Sequence, residues 1–204
     1  MKYLLATNNP DKVTEIESIF ATHGLEITSL AKLGLFFEAQ EPWDTFEQNA
    51  MEKATQTQKY LQSNGYRDIA VIADDSGLMI DVLGGIPGVD SANYMGRETP
   101  YDVRNQNLIG QVDKFNNRVA RFVCVIACVY PCGKQLATTG EIVGEIARTP
   151  QGDNGFGYDP IFYIPMLGKT TAQLSAGEKN RISHRGKALA KMIGLLTGDT
   201  DAGN

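Results

Sequence analysis

Apolar residues change their period several times along this chain, and each change marks an expected element. Tyr3 to Ala6 is a short apolar run, Asn8-Asn9-Pro10-Asp11 is a turn and capping signal, and Val13, Ile16, Ile19 and Phe20 recur at helical spacing. A strand near Leu25 to Leu30 and an irregular stretch from Leu33 to Trp43 follow. Asp44 and Thr45 cap the next helix, with Glu47 and Gln48 at capping-box spacing and Phe46, Ala50, Met51, Ala54 and Leu61 on its apolar side. Ile69 to Ala73 and Leu78 to Leu83 read as two compact buried strands, and Gly84-Gly85-Ile86-Pro87-Gly88 as a turn. Tyr101 to Val112 is a polar-faced helix. Val119 to Tyr130 and Gln135 to Ile146 flank Pro131-Cys132-Gly133-Lys134 as a long hairpin, the best antiparallel signal in the sequence. A glycine-rich loop from Gln151 to Asp159, a short strand from Ile161 to Ile164 and a helix from about Ser183 to Leu196 complete the series.

Strands and helices interleave without a repeat or a linker, which predicts an α/β fold with a mixed sheet, one domain over residues 1–204 built as two lobes. At 204 residues the chain is long enough to bury about 70% of its unfolded surface without a disulfide or metal staple. The net charge is −5 and no block of Lys or Arg occurs, so no electrostatic footprint for DNA or RNA is present. Any anionic ligand then needs a local cluster of cations, with a metal ion to help. Cys124, Cys128 and Cys132 match neither a zinc pattern nor a disulfide framework, and read as buried thiols in a reducing compartment. The run from Met1 to Thr7 is too short for a signal peptide and no later run reaches membrane-spanning length, which predicts a cytoplasmic protein with no membrane partner.

Two distant stretches concentrate the chemistry: Ala73-Asp74-Asp75-Ser76-Gly77 and Ser175 to Arg185. In an extended strand Asp74 and Asp75 point to opposite faces, so one is the functional carboxylate and the other its support. Such a carboxylate beside Ser76 fits a hard cation such as Mg²⁺ or a water-activating base, although Asp-Asp-Ser-Gly alone is more often a turn. Thr7-Asn8-Asn9-Pro10-Asp11-Lys12 joins strand to helix, where free N–H groups favour a phosphate and Lys12 closes on it; a plain capped turn explains it equally. Lys53 is helical and by default faces solvent. Glu38 and Glu41 become metal ligands only if their irregular stretch folds over the site. In Asn154-Gly155-Phe156-Gly157-Tyr158-Asp159-Pro160 the glycines let the backbone approach a flat ligand, with base stacking and core packing as rival uses of Phe156. Lys179, His184 and Arg185 offer mainly donors, which match N7 and O6 of a 6-oxopurine and oppose adenine's amino group.

Val71 to Leu78, Leu83 to Val89, Gly155 to Phe162 and Glu178 to Arg185 closely resemble the pyrophosphatases of non-canonical purine nucleoside triphosphates, the inosine triphosphatase family. Thr45-Phe46-Glu47-Gln48-Asn49-Ala50 and Ala6-Thr7-Asn8-Asn9 through Lys12 extend the resemblance, in the family's order, over almost the whole chain. It implies an elongated two-lobed α/β fold whose central sheet is mixed and largely antiparallel, with a cleft between the lobes. It further implies a homodimer and Mg²⁺-dependent hydrolysis of ITP, dITP and XTP to monophosphate and pyrophosphate. Carried over by position, Asp75 is the proton acceptor and a metal ligand, with Glu41 as second carboxylate. Thr7, Asn8, Asn9, Lys12 and Lys53 hold the triphosphate, Ser76 touches the substrate, and Phe156, Gly157, Tyr158, Asp159, Lys179, His184 and Arg185 hold the base. Three positions depart from the family: Asn8 stands for a usual glycine, Gln40 for the first of an acidic pair, and Asn93 for a usual arginine.

Overall fold

A computed structural model describes residues 2–198. Seven strands form one sheet in the order β2-β1-β3-β4-β5-β6-β7: β1 Lys2–Leu5, β2 Ile27–Ser29, β3 Ile69–Ile80, β4 Val119–Val129, β5 Gln135–Ile146, β6 Phe162–Ile164 and β7 Lys169–Thr170. β1 pairs in parallel with β2 and β3, whereas β6 is antiparallel to β5 and β7, so the sheet is mixed as expected. The described helices are α1 Pro10–Thr22, α2 Phe46–Ser63, α3 Tyr101–Val112, α4 Ala176–Ile182 and α5 His184–Thr197.

Local chemistry explains most boundaries. Asn9 caps α1 by accepting from the N–H groups of Asp11 and Lys12, and Pro10 sits at the first helical position, where its missing N–H costs nothing. Thr45 caps α2 through the N–H of Gln48. Between β4 and β5 the Tyr130 N–H donates to the Lys134 carbonyl and closes the expected turn.

Three elements differ from expectation. The two strands expected around Asp74 and Asp75 are one strand, β3, which ends at Ile80; Asp81–Leu83 is a 3₁₀ turn. Asp74 does not break the strand because cations satisfy it. α4 lies inside the second motif, where Ser175 and Glu178 form a capping box. The two-residue β7 has no pattern long enough to read.

The chain divides into two compact units. The first comprises residues up to Asp75, Cys124–Gly140 and those from Arg185 onward. Its core gathers Leu5, Ile16, Phe20, Ile72, Cys124, Ile126, Leu189 and Met192, none of them accessible to solvent. The second comprises Ser76–Val123 and Glu141–His184, with Leu78, Ile80, Leu108, Val112, Ile161 and Phe162 at its centre. Each such side chain adds about 1.5–3 kcal/mol on burial. Cys124 and Cys128 are buried as expected, but Cys132, at the hairpin tip, is exposed. Among the described residues no helix is long and apolar enough to cross a membrane.

Candidate active site

In the first unit, cations converge on the carboxylates of β3. Asp74 is wholly buried, and its Oδ2 lies 2.9 Å from Lys12 Nζ and 3.4 Å from Arg185 Nη2. Burial alone would raise its pKa, but Lys12, Arg185 and Lys53 outweigh that cost and hold the carboxyl well below the usual range. Lys12 is delivered by the first turn of α1, and Arg185 by the first turn of α5. The Arg185 Nη1 also meets Glu15 Oε2 at 2.5 Å. Burial opposes the Arg185 charge, yet Asp74, Cys124 and Glu15 push its pKa further up. On α2, Lys53 donates to the Asp74 carbonyl at 2.9 Å and forms an ion pair with Glu41. Its pKa is also raised: desolvation pulls down, and Asp74, Glu41 and Asp75 pull up more strongly.

Asp75 differs sharply from its neighbour. Burial pushes its carboxyl up to about 6; Lys53 and Lys12 moderate the shift, and the negative charges of Glu41 and Asp74 add to it. Two adjacent carboxylates thus have opposite proton affinities, the arrangement that separates an electrostatic anchor from an acid–base group.

In the second unit the glycine-rich loop is built around the Asp159 carboxylate. Its Oδ2 accepts from the Phe156 N–H at 2.8 Å and from Lys179 Nζ at 2.6 Å, and its Oδ1 accepts from the Thr171 hydroxyl at 2.8 Å. Gly155 has φ +74°, and a Cβ there would collide with the Asp159 carboxylate, so the turn requires glycine. The Lys179 ammonium stands 4.8 Å from the Phe156 ring centroid. The buried Tyr158 hydroxyl donates to the Ser91 carbonyl, and Asn105 on α3 donates to the Gly157 carbonyl at 3.1 Å. His184 stacks on Phe122 at 4.7 Å with an interplanar angle of 11°.

Sequence reasoning named both groups, and the structure sorts them. It brings together Lys12, Lys53, Glu41, Asp74 and Arg185 in one charged set, and Phe156, Gly157, Tyr158, Asp159 and Lys179 in one loop assembly. The Thr7 hydroxyl accepts from the Asn9 N–H, and the Asn8 amide donates to the Phe37 carbonyl. Ser76 follows Asp75 in β3. Asp159 and Tyr158 hold the loop in shape, and Arg185 is paired with two carboxylates. Glu15, Gln56 and Asn105 were not singled out in the sequence, and Asn49 entered only within the Thr45 to Ala50 motif. For Asn49 and Gln56 a signal existed: with Lys53 they fall at i, i+4 and i+7 on α2.

Among the described residues no three His, Cys, Asp or Glu side chains converge to hold a metal. Mg²⁺, however, is commonly held by one or two carboxylates together with substrate phosphates and water. Asp75 and Glu41 supply two carboxylates, and the charge of Glu41 contributes to the raised pKa of Asp75. A divalent cation would relieve that repulsion, so the donor set fits such an ion.

The fold is mixed α/β, and its third strand buries adjacent carboxylates among two lysines and an arginine. Residues 3–195 match the Ham1 family, and the chain belongs to it. It is 42% identical over 199 residues to a dITP/XTP pyrophosphatase of Clostridium perfringens, covering 97% of this chain and 98% of that one. A dITP/XTP pyrophosphatase of Bacillus subtilis is 41% identical over 195 residues, with 95% and 96% covered. The fold matches the Staphylococcus aureus Ham1 protein with a TM-score of 0.85 at 37% identity, over 98% of this chain and 100% of that one. It matches a HAM1 protein from Coxiella burnetii with a TM-score of 0.84 at 35% identity, over 97% and 99%.

Proposed function

We propose that this protein, like the relatives named dITP/XTP pyrophosphatase, hydrolyses nucleoside triphosphates of non-canonical purines (ITP, dITP and XTP) to the monophosphate and pyrophosphate. The observation that carries the reading is the split within β3: Asp74 is held ionised by Lys12 and Arg185, while burial lifts Asp75 to about 6. Water oxygen bonds to the α-phosphorus, the water proton passes to Asp75, and the bond from the α-phosphorus to the bridging oxygen breaks so that pyrophosphate leaves. Lys12 and Lys53 hold phosphate oxygens, with Thr7, Asn8 and Asn9 lining the turn before α1 and Ser76 touching the substrate. Asp75 and Glu41 would hold Mg²⁺, which would supply charge neutralisation at the phosphates.

The base stacks on Phe156, whose loop Asp159 and Asn105 hold in place, and Lys179 and His184 contribute donors toward the 6-oxo edge. A cytoplasmic homodimer belongs to the same reading, and light scattering on the purified chain tests the dimer. The reaction is tested with dITP, XTP, ITP, dATP and dGTP in Mg²⁺ buffer, resolving products by ion-exchange chromatography. Monophosphate and pyrophosphate from dITP and XTP are expected. Orthophosphate with a nucleoside diphosphate would overturn the assignment.

A further inference from the structure

Glu41 lies in an irregular segment, yet its placement is highly determined. Residues 37–43 run along one face of α2 in the opposite chain direction, in a regular register. The Phe37 ring stacks on Tyr60 with centroids 4.6 Å apart and an interplanar angle of 17°. The Gln40 N–H donates to Gln56 Oε1 at 3.0 Å, and Gln56 Nε2 donates back to the Gln40 carbonyl at 3.2 Å. Glu41 pairs with Lys53. The Trp43 N–H donates to Asn49 Oδ1, and Asn49 Nδ2 to the Trp43 carbonyl, both at 2.9 Å. Positions 49, 53, 56 and 60 are spaced i, i+4, i+7 and i+11, one stripe of the helix.

Two side-chain amides thus act as a strand would, each satisfying both the N–H and the carbonyl of one backbone residue, and Glu41 lies between the two clips. Glu52 Oε1 in turn accepts from Gln56 Nε2 at 2.8 Å and orients the Gln56 amide. Asn8 fastens the far end through the Phe37 carbonyl at 3.2 Å. We propose that Gln56 and Asn49 are positioning residues that fix the Glu41 carboxylate for the divalent cation, by binding the backbone on either side of it. This rests on the reading of Glu41 as a metal carboxylate. A ligand on a segment without secondary structure of its own must be ordered before it binds, and these clips supply that order beforehand.

The test compares the whole protein carrying Gln56→Ala, Gln56→Glu or Glu41→Gln, with Mn²⁺ binding read by electron paramagnetic resonance beside a Mg²⁺ titration of dITP hydrolysis. Gln56→Ala is expected to weaken Mn²⁺ binding and raise the half-saturating Mg²⁺ concentration by roughly tenfold, with kcat at saturating metal within about twofold of the parent. Gln56→Glu keeps an acceptor for the Gln40 N–H but loses the donor and sets a second carboxylate against Glu52, so the clip opens and Mn²⁺ binding should weaken as in Gln56→Ala. If Glu41→Gln weakens metal binding while Gln56→Ala does not, the positioning role is overturned and the metal role of Glu41 stands. If Glu41→Gln leaves metal binding intact, the metal reading falls and the inference falls with it. A lowered Tm in Gln56→Ala with activity reduced in equal proportion at every Mg²⁺ concentration would make the clip purely structural and also overturn it.

Discussion

The guanidinium of Arg185 lies 3.4 Å from Asp74 Oδ2 in a pair that is almost wholly buried, although the two residues are 111 positions apart. Arg185 also meets Glu15 at 2.5 Å, and Lys12 shares the same Asp74 oxygen at 2.9 Å. Removing one partner of a buried pair leaves a charge in a poor solvent. Arg185→Ala should therefore destabilise the protein by about 3 kcal/mol, and lower Tm by roughly 6–12 °C. Its activity on dITP and dATP should fall alike, because the guanidinium is engaged by carboxylates. Calorimetry with both substrates checks this. A narrowed dITP to dATP ratio at unchanged Tm would return Arg185 to base recognition.

Asp75→Asn should reduce kcat by about 100-fold or more, the usual scale for a lost general base. The same variant should gain stability in metal-free buffer. Burial raises the folded-state pKa from an ordinary 3.8 to about 6, so the folded chain binds more protons than the unfolded chain between those values. Stability therefore falls as pH rises from about 4 to about 6, and the charged form stays costly above that window. At pH 8 Asp75→Asn should unfold about 1–3 kcal/mol harder than the parent, and this difference should vanish near pH 3. Denaturant titrations at both pH values measure it. Lower stability at pH 8 would mean that Asp75 is paired more favourably than its burial implies.

The parts of the molecule legible in the sequence are those whose chemistry is local. Asn9 and Pro10 announce α1, and the turn at Pro131-Cys132-Gly133-Lys134 announces the hairpin. β3 was misread as two strands because polar residues inside an apolar run ordinarily signal a turn; Lys12, Lys53 and Arg185, remote in sequence, keep Asp74 in the strand. α4 carries a readable Ser-x-x-Glu box, but seven residues give too little periodicity to call attention to a helix. The candidate site divides in the same way. Motifs named Asp75, Lys12 and Phe156, whereas Glu15 and Gln56 act across 170 and 16 positions and have no local signature.

Thiol reactivity separates the three cysteines. Burial pushes Cys124 and Cys128 each up to about 12, and neither is accessible. The thiolate is the reactive form, so both stay inert at pH 8, while Cys132 is open to solvent at the hairpin tip. Iodoacetamide should add one label to the folded protein and three after denaturation, as read by intact-mass spectrometry. Two or three labels on the native protein would mean that the first unit opens readily.

Phe156 provides the most direct test of where the base sits. Its backbone N–H is fixed on Asp159 Oδ2 and its ring faces the Lys179 ammonium, so the ring is held without being buried in either apolar core. A ring serving only as packing would cost stability when removed, and a stacking platform would cost affinity. Base–aromatic stacking is worth about 1–3 kcal/mol, so Phe156→Ala should raise KM for dITP, XTP and dATP alike by roughly 5- to 150-fold. Its kcat should change little and its Tm should stay within about 3 °C, since the ring belongs to neither apolar core. Steady-state kinetics on the three substrates with a thermal melt decide the matter. A large fall in Tm at constant KM would place Phe156 in the fabric of the loop and move base recognition elsewhere.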